Sequence, residues 1–462
     1  MFFHYGDKPV SYRFGVRKVA RKDTQNHEKK LVEMKLKYIF LLLLVSTSLH
    51  AQILTVEDAI NMALKNNYGI QVARNDAEAA RINNTPGNAG MMPTVGVTGG
   101  ANYGLNNSYQ KYADNTDRTL SNLSTTSLNA GVQLNWTLFD GGKMFVTKTK
   151  LAEIEQLGLL QYKDKVLSTT YAIIEAYYQV VQQKQQLIAL QEMLSYNQER
   201  LKISDAGYVA GSMLKSDMLQ AKIDMNITSE NLINQQYIIK SAKKELNILL
   251  GRSPETEFEV NGTIVSTFLP DKLELEKKLY TNNTGYLILK KQAEIAELTL
   301  KECERSYLPS FDIKGGYFYN QTFNSAGSTL NNRVLGPQVG GTLSIPLYTG
   351  GENKRKQAAS KLGILNSQSN MEQSKLELRT ALQNALQSFE NQQQLLQIET
   401  ENNTLAKENL ETSLQRLRYG QATSLEVHQA QEYFVQSSTR LINFQYNLKM
   451  AETKLKQLIA TL

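Results

Sequence analysis

The run Leu134-Asn-Trp-Thr-Leu-Phe-Asp-Gly-Gly142 returns 209 residues later as Leu343-Ser-Ile-Pro-Leu-Tyr-Thr-Gly-Gly351. At the same offset Gly211 and Ala221 recur as Gly420 and Ala430, and Leu232-Ile-Asn-x-Gln-Tyr237 recurs as Leu441-Ile-Asn-x-Gln-Tyr446. A register held without a gap over so long a stretch means one unit, duplicated and fused. The repeats are expected at 52–262 and 263–462. Whatever one half folds into, the other must fold into as well.

Charge and chemistry narrow the function. Residues 1–51 hold ten Lys/Arg against four Asp/Glu, so they carry six of the seven net positive charges. The remainder is near neutral, with no basic block for nucleic acid. His4, His27 and His50 lie in that same segment, which leaves His428 alone, and Cys303 is the sole cysteine. Internal disulfides are excluded, a thiolate or imidazole zinc cluster cannot be assembled, and His428 has no Gly-rich nucleophile turn near it. No enzyme and no cofactor is expected.

Residues 34–51 have the parts of a secretory signal: Lys35 and Lys37, an apolar run Ile39–Val45, and Ala51 before the cut. Residues 1–33 have no place in such a signal, so translation is expected to begin at Met34. The mature protein is expected to be exported.

Helical periodicity covers 54–83, 143–205 and 212–250, and again 272–306, 352–418 and 422–459. Thr55 reads as an N-cap. The helix over 143–205 would be about 90 Å long. Ile173, Val180, Leu187, Leu194 and Leu201 fall at seven-residue spacing, as do Leu382, Phe389, Leu396 and Leu410, with Asn403 interrupting. A seven-residue repeat is the seam of helices packed side by side. The polar faces suit either an outer surface or the lining of a water-filled duct.

Between the helices lie hairpins 92–139 and 308–348. Leu128, Ala130, Val132, Leu134, Trp136 and Leu138 alternate with small polar residues, and Val339, Gly341, Leu343, Ile345 and Leu347 do the same. This is the pattern of a membrane-spanning β-barrel strand, although a sheet on a soluble core shares it. Trp136, Phe139 and Tyr348 stand where an aromatic girdle would lie. Four strands cannot close a barrel in lipid, so several chains would have to share one; three give twelve strands.

These features together resemble the TolC-like outer-membrane efflux protein family. The resemblance rests on the Pro-led hairpins (Met92-Pro93; Leu308-Pro309), the aromatic-x-Gly-Gly exits (Phe139-Asp-Gly-Gly; Tyr348-Thr-Gly-Gly) and the tip signature Tyr208-Val-Ala-Gly211 through Asp217 and Ala221. The second copy departs from that signature, with Leu417 at the Tyr position and Glu426 at the Asp position. The resemblance implies a mainly α fold with a membrane β part. It implies a homotrimer with a long antiparallel α-barrel and a shared twelve-stranded transmembrane β-barrel.

It also implies an exit duct in the outer membrane of a Gram-negative bacterium, with the helices in the periplasm. Such a duct serves a periplasmic adaptor and an inner-membrane pump. Tyr208, Asp217, Leu417, Glu426 and Gln429 become gate residues by position, and Gly211 and Gly420 mark adaptor-docking turns. Read from composition alone, Glu426 is an ordinary solvated helix residue. A type I protein-secretion duct shares this architecture. A periplasmic coiled-coil structural or adaptor protein would explain the heptads and leave the paired hairpins unexplained.

Overall fold

A computed structural model describes residues 53–462. The N-terminal extension, the export signal and His4, His27 and His50 lie outside the described residues. The chain divides into two compact units. Among the described residues the smaller holds 53–54 and 257–259, which include β1 (Ile53–Leu54) and the first residue of the two-residue strand β4 (Glu259–Val260). The larger holds every other element.

Each repeat contributes helices, a β-hairpin, one very long helix and a return helix. In the first these are α1 (Val56–Asn66), α2 (Tyr68–Asn83), β2 (Thr94–Lys111), β3 (Asp117–Asp140), α3 (Lys143–Val209) and α4 (Lys215–Leu249). The second has α5 (Lys272–Asn282), α6 (Thr284–Arg305), β5 (Ser310–Asn324), β6 (Asn331–Ser344), α7 (Glu352–Arg418) and α8 (Ser424–Leu458). Both long helices have 67 residues, about 100 Å of rise. Among the described residues no helix is long and apolar enough to cross a membrane.

Two expected helices are broken. Asn67 interrupts 54–83 and Asn283 interrupts 272–306, each with an extended ψ and an Oδ1 that accepts the N–H three residues on, Ile70 or Tyr286. Neither break carries a proline, so helical periodicity runs straight across it. Thr55 caps α1 as expected, accepting from the Asp58 amide. The first tip turn also comes later than expected: α3 continues to Val209 and α4 begins at Lys215.

The strands form one antiparallel sheet in the order β2-β3-β5-β6, with β2 and β6 each paired on one side only. Direct pairing puts Val95, Leu134, Gly315 and Val339 on one face, followed along the strands by Val97, Val132, Tyr317 and Pro337. The opposite face carries Gly96, Gln133, Gly316 and Gln338, then Gly100, Asn129, Asn320 and Val334. Phe318 also lies on that polar side, lodged where Cβ atoms on Gly131 and Gly316 would clash with its ring, at 2.5 and 2.7 Å.

The strands outrun the sequence expectation. The β2–β3 ladder continues from Leu105–Ser124 to Lys111–Asp117, past the last β3–β5 rung at Thr125–Asn324. A bulge marks the departure, where Asn122 adopts φ 55° and its N–H donates to Asn107 Oδ1 at 2.8 Å. The girdle expectation needs one correction. Trp136 and Phe139 lie in β3, the indole donating to the Met91 carbonyl at 3.0 Å, whereas Tyr348 is four residues beyond the end of β6. Pro346 between them has no N–H with which to extend the ladder.

The helices pack in a defined lateral order. α3 lies against α2 and α6 over one half and against α4 and α8 over the other; α7 lies against α6 and α8. Among the described residues α4 packs mainly on α3, meeting α8 at Asp224–His428 and Asn67 at Leu249, and one long face each of α4 and α7 forms a flank of that half. Of the heptad positions Ile173, Val180, Leu382, Phe389 and Leu410 are buried, whereas Leu187, Leu194, Leu201 and Leu396 are half-buried. The buried stripe of α3 moves to Met193, Asn197, Arg200 and Ser204. Asn403 is accommodated by donating to Ser438 Oγ at 2.9 Å.

Candidate functional site

The two tip turns have the same construction. Gly211 (φ 75°) and Gly420 (φ 69°) take the left-handed conformation that ends α3 and α7. Their amides donate to the Tyr208 and Leu417 carbonyls, each at 3.0 Å, which fixes those two residues as repeat partners. Tyr208 is 41% exposed, but Leu417 is 1% exposed, so it packs the tip and does not line a passage. It belongs to an apolar cluster with Leu410, Leu414, Val427, Ala430 and Phe434, against which Tyr196, Ile203 and Met213 of the first repeat also pack.

Glu426 and Asp217 sit in the first turns of α8 and α4, where the helix end favours an anion. Thr423 caps α8 by accepting from the Glu426 amide at 3.2 Å. The Glu426 carboxylate is half exposed and faces Arg416 Nη1 at 3.8 Å. Gln429 is exposed and donates to the Tyr433 hydroxyl. The structure therefore brings Glu426 and Gln429 to one exposed end of the second hairpin, and Asp217 and Tyr208 to the matching end of the first.

Sequence reading missed the most heavily tied group near this end. Arg200 of α3 is 1% exposed. Its Nη1 donates to Asp224 Oδ2 of α4 at 2.7 Å and to Gln431 Oε1 of α8 at 2.9 Å, and Nη2 reaches Ser424 Oγ at 3.2 Å. His428 stands 3.1 Å from the same Asp224 oxygen. The cluster joins three helices and both repeats. Its partners are far apart in sequence, and no local spacing announces them.

A ladder of exposed ties runs beside it from α3 to α7. Glu192 meets Lys407 at 2.7 Å, the Tyr196 hydroxyl donates to Glu411 at 3.2 Å, and Arg418 meets Glu199. Among the described residues no group of His, Cys, Asp and Glu could hold a metal ion.

A family model described as "Outer membrane efflux protein" matches residues 59–252 and 282–461. The chain is 21% identical to the proteases secretion protein PrtF of Dickeya chrysanthemi over 326 residues, which covers 65% of each chain. It is 22% identical to the outer membrane efflux protein BepC of Brucella suis biovar 1, over 71% of this chain and 70% of that one. Among solved structures, the outer membrane protein VceC of Vibrio cholerae superposes with a TM-score of 0.71 at 16% identity, covering 87% of this chain and 95% of the other.

Proposed function

We propose, since the chain belongs to the outer membrane efflux protein family, that it is the passive exit duct of a multi-component efflux system. In this reading three copies share one β-barrel in the outer membrane. Their helices continue the duct through the periplasm to an entrance at the Gly211 and Gly420 turns.

One observation carries the shared duct. Ile233 and Ile442 are repeat partners, yet Ile442 is 8% exposed and Ile233 is 67% exposed. Tyr237 and Tyr446 differ in the same way. Tyr237 is 71% exposed, while burial, and then the carboxylate of Glu175, push the Tyr446 hydroxyl up to about 12. The difference arises because α8 has α3 beside it, whereas among the described residues no helix lies along the matching face of α4 at Ile233 and Tyr237. The repeat partner of α3 is α7, so α7 of a second copy supplies the missing neighbour and a third copy closes the ring. An eight-stranded barrel is filled by its own side chains, so three copies are the fewest that leave an aqueous passage. The apolar sheet face then meets lipid, and the face bearing Gln133, Asn129 and Gln338 meets water.

Nothing in the sequence binds nucleotide, so the driving energy comes from an inner-membrane pump through a periplasmic adaptor at the tip turns. Glu426, repeated three times around the axis, favours cations at the entrance. The likeness to PrtF supports a second reading, with the same duct serving protein export. A periplasmic coiled-coil adaptor accounts for the heptads but not for a four-stranded sheet with an apolar outer face.

The test is accumulation of a fluorescent cationic dye in a deletion strain against its parent, with an outer-membrane permeability control. Higher accumulation, reversed by a plasmid copy, supports small-molecule efflux. Unchanged accumulation, with the protein confirmed in the outer membrane, shifts weight to protein export, a narrower substrate or a redundant paralogue.

A further inference from the structure

We infer that Arg333 of β6 binds the phosphate of a lipid headgroup in the outer leaflet, one such site on each copy of the chain. The inference rests on the reading above that the apolar face of the sheet meets lipid. On that face the rungs run from Phe311 and Leu343 at one end to Phe323 and Asn331 at the other. Among the described rungs of that face Arg333 is the one charged side chain, and it is exposed. An ionisable group on a lipid-facing surface calls for a partner.

The sheet supplies no counter-charge. Gln321 stands directly across from Arg333, and Ala101 and Leu128 complete the rung. Gln321 is 8% exposed; its Oε1 accepts from the Tyr319 hydroxyl and its Nε2 donates to Asn331 Oδ1 at 3.3 Å. The turn over 325–330 contains no carboxylate. A second copy would lay β2 beside β6, and the positions of β2 on this face, from Val95 to Leu105, hold none either. Asp117, beyond the bulge, already accepts from the Tyr109 hydroxyl at 2.8 Å.

Depth identifies the partner. The strands join the helices at the Asp140 and Ser310 end, so Arg333 lies toward the outward end. From Leu343 to Arg333 is ten residues of β6. At about 3.4 Å per residue and a tilt of about 40°, that is roughly 26 Å of height, matching the apolar band of about 25 Å in such barrels. An arginine is costly at the bilayer midplane and nearly free at its boundary. Tyr319 and Tyr103, one rung to either side on the same face, mark that boundary as an aromatic belt. The anions at this level are headgroup phosphates. The guanidinium reaches them on its long stem, and its planar fork takes two phosphate oxygens.

Native mass spectrometry of trimers purified in detergent tests the site, with diphosphoryl lipid A and the same lipid stripped of phosphate as probes. The wild type should hold the phosphorylated lipid roughly tenfold more tightly than Arg333→Gln, the loss of one charge-assisted contact. Arg333→Lys should fall between them, and the stripped lipid should bind all three alike. Equal binding of the phosphorylated lipid to wild type and Arg333→Gln overturns the inference.

Competition separates the two sources of phosphate. Inorganic phosphate in large excess should leave the lipid bound; displacement by it overturns the lipid assignment in favour of a free-phosphate site. Asp117→Asn should change neither lipid binding nor trimer stability. A rise in lipid binding with a loss of trimer would pair Arg333 with Asp117 of the next copy and overturn the proposal. A wild-type chain that forms no trimer fails the shared-duct reading and the site with it, whereas equal binding on intact trimers fails the site alone.

Discussion

Asn67 closes the far end of a helix 182 residues away: its Nδ2 donates to the Leu249 carbonyl at 2.8 Å while its Oδ1 caps α2. Asn283 does the same for Leu458, at 3.0 Å. One side chain in each repeat both starts a helix and satisfies the last turn of the return helix. Asn67→Ala should therefore lower stability by roughly 1–2 kcal/mol, the usual range for a lost cap and a part-buried hydrogen bond. Thermal melting of the purified protein, set beside Asn283→Ala, checks this. A loss confined to one of the two variants would mean the repeats do not share the device.

Ile233→Asp should abolish assembly while leaving the chain folded, because that side chain is exposed in the single chain and covered by a second copy only in the proposed assembly. Ile442→Asp, at the same repeat position, should damage the fold of the chain itself. Native mass spectrometry together with circular dichroism separates the two outcomes. Equal effects on assembly and helicity would show that the flank of α4 is not an interface.

The raised Tyr446 hydroxyl predicts an alkaline response. The folded protein keeps this proton when an unfolded chain, with its hydroxyl near the ordinary value of 10, has begun to lose it. The contribution to stability is therefore complete below pH 10 and disappears as the pH rises toward about 12. Tyr446→Phe should flatten the fall in stability over that window, measured by denaturant unfolding at a series of alkaline pH values. An unchanged slope would assign the fall to other groups.

At the entrance, Glu426→Ala should reduce cation preference in single-channel recordings, and Arg416→Ala should increase it by unmasking the carboxylate that Arg416 faces at 3.8 Å. Opposite signs are the expected signature of a pair at the passage. Unchanged selectivity in both variants would locate the filter elsewhere.

What could be read from the sequence depended on whether a residue's partner was local. The heptads and the alternating cores of the strands are local patterns, and the duplication is legible by setting the sequence against itself; the strands appear in the structure and the heptads in part. The outer halves of β2 and β3 are not legible as strand, because Asn106, Asn107, Ser108 and Ser121, Asn122 give no apolar period to follow. The helix breaks at Asn67 and Asn283 were invisible for a related reason, since an asparagine flanked by helix formers reads as helix until its amide is seen reaching Leu249 or Leu458. Arg200 was passed over altogether. Its carboxylate partner is 24 residues away and its amide partner 231, and only the packing of three helices brings them together.

The unequal hairpins have a further consequence. Beyond the bulge at Asn107 and Asn122, the first hairpin stands clear of the sheet with its turn at Asp114 and Asn115, while the second ends at Asn324 and Asn331. In outer-membrane barrels the longer connections face outward, so in the proposed assembly the first hairpin would be the segment reaching furthest from the cell. A peptide tag placed between Asp114 and Asn115 should be stainable without breaking the envelope. Duplication thus left two copies of one hairpin with different reach: one ends with the sheet, and the other extends beyond it.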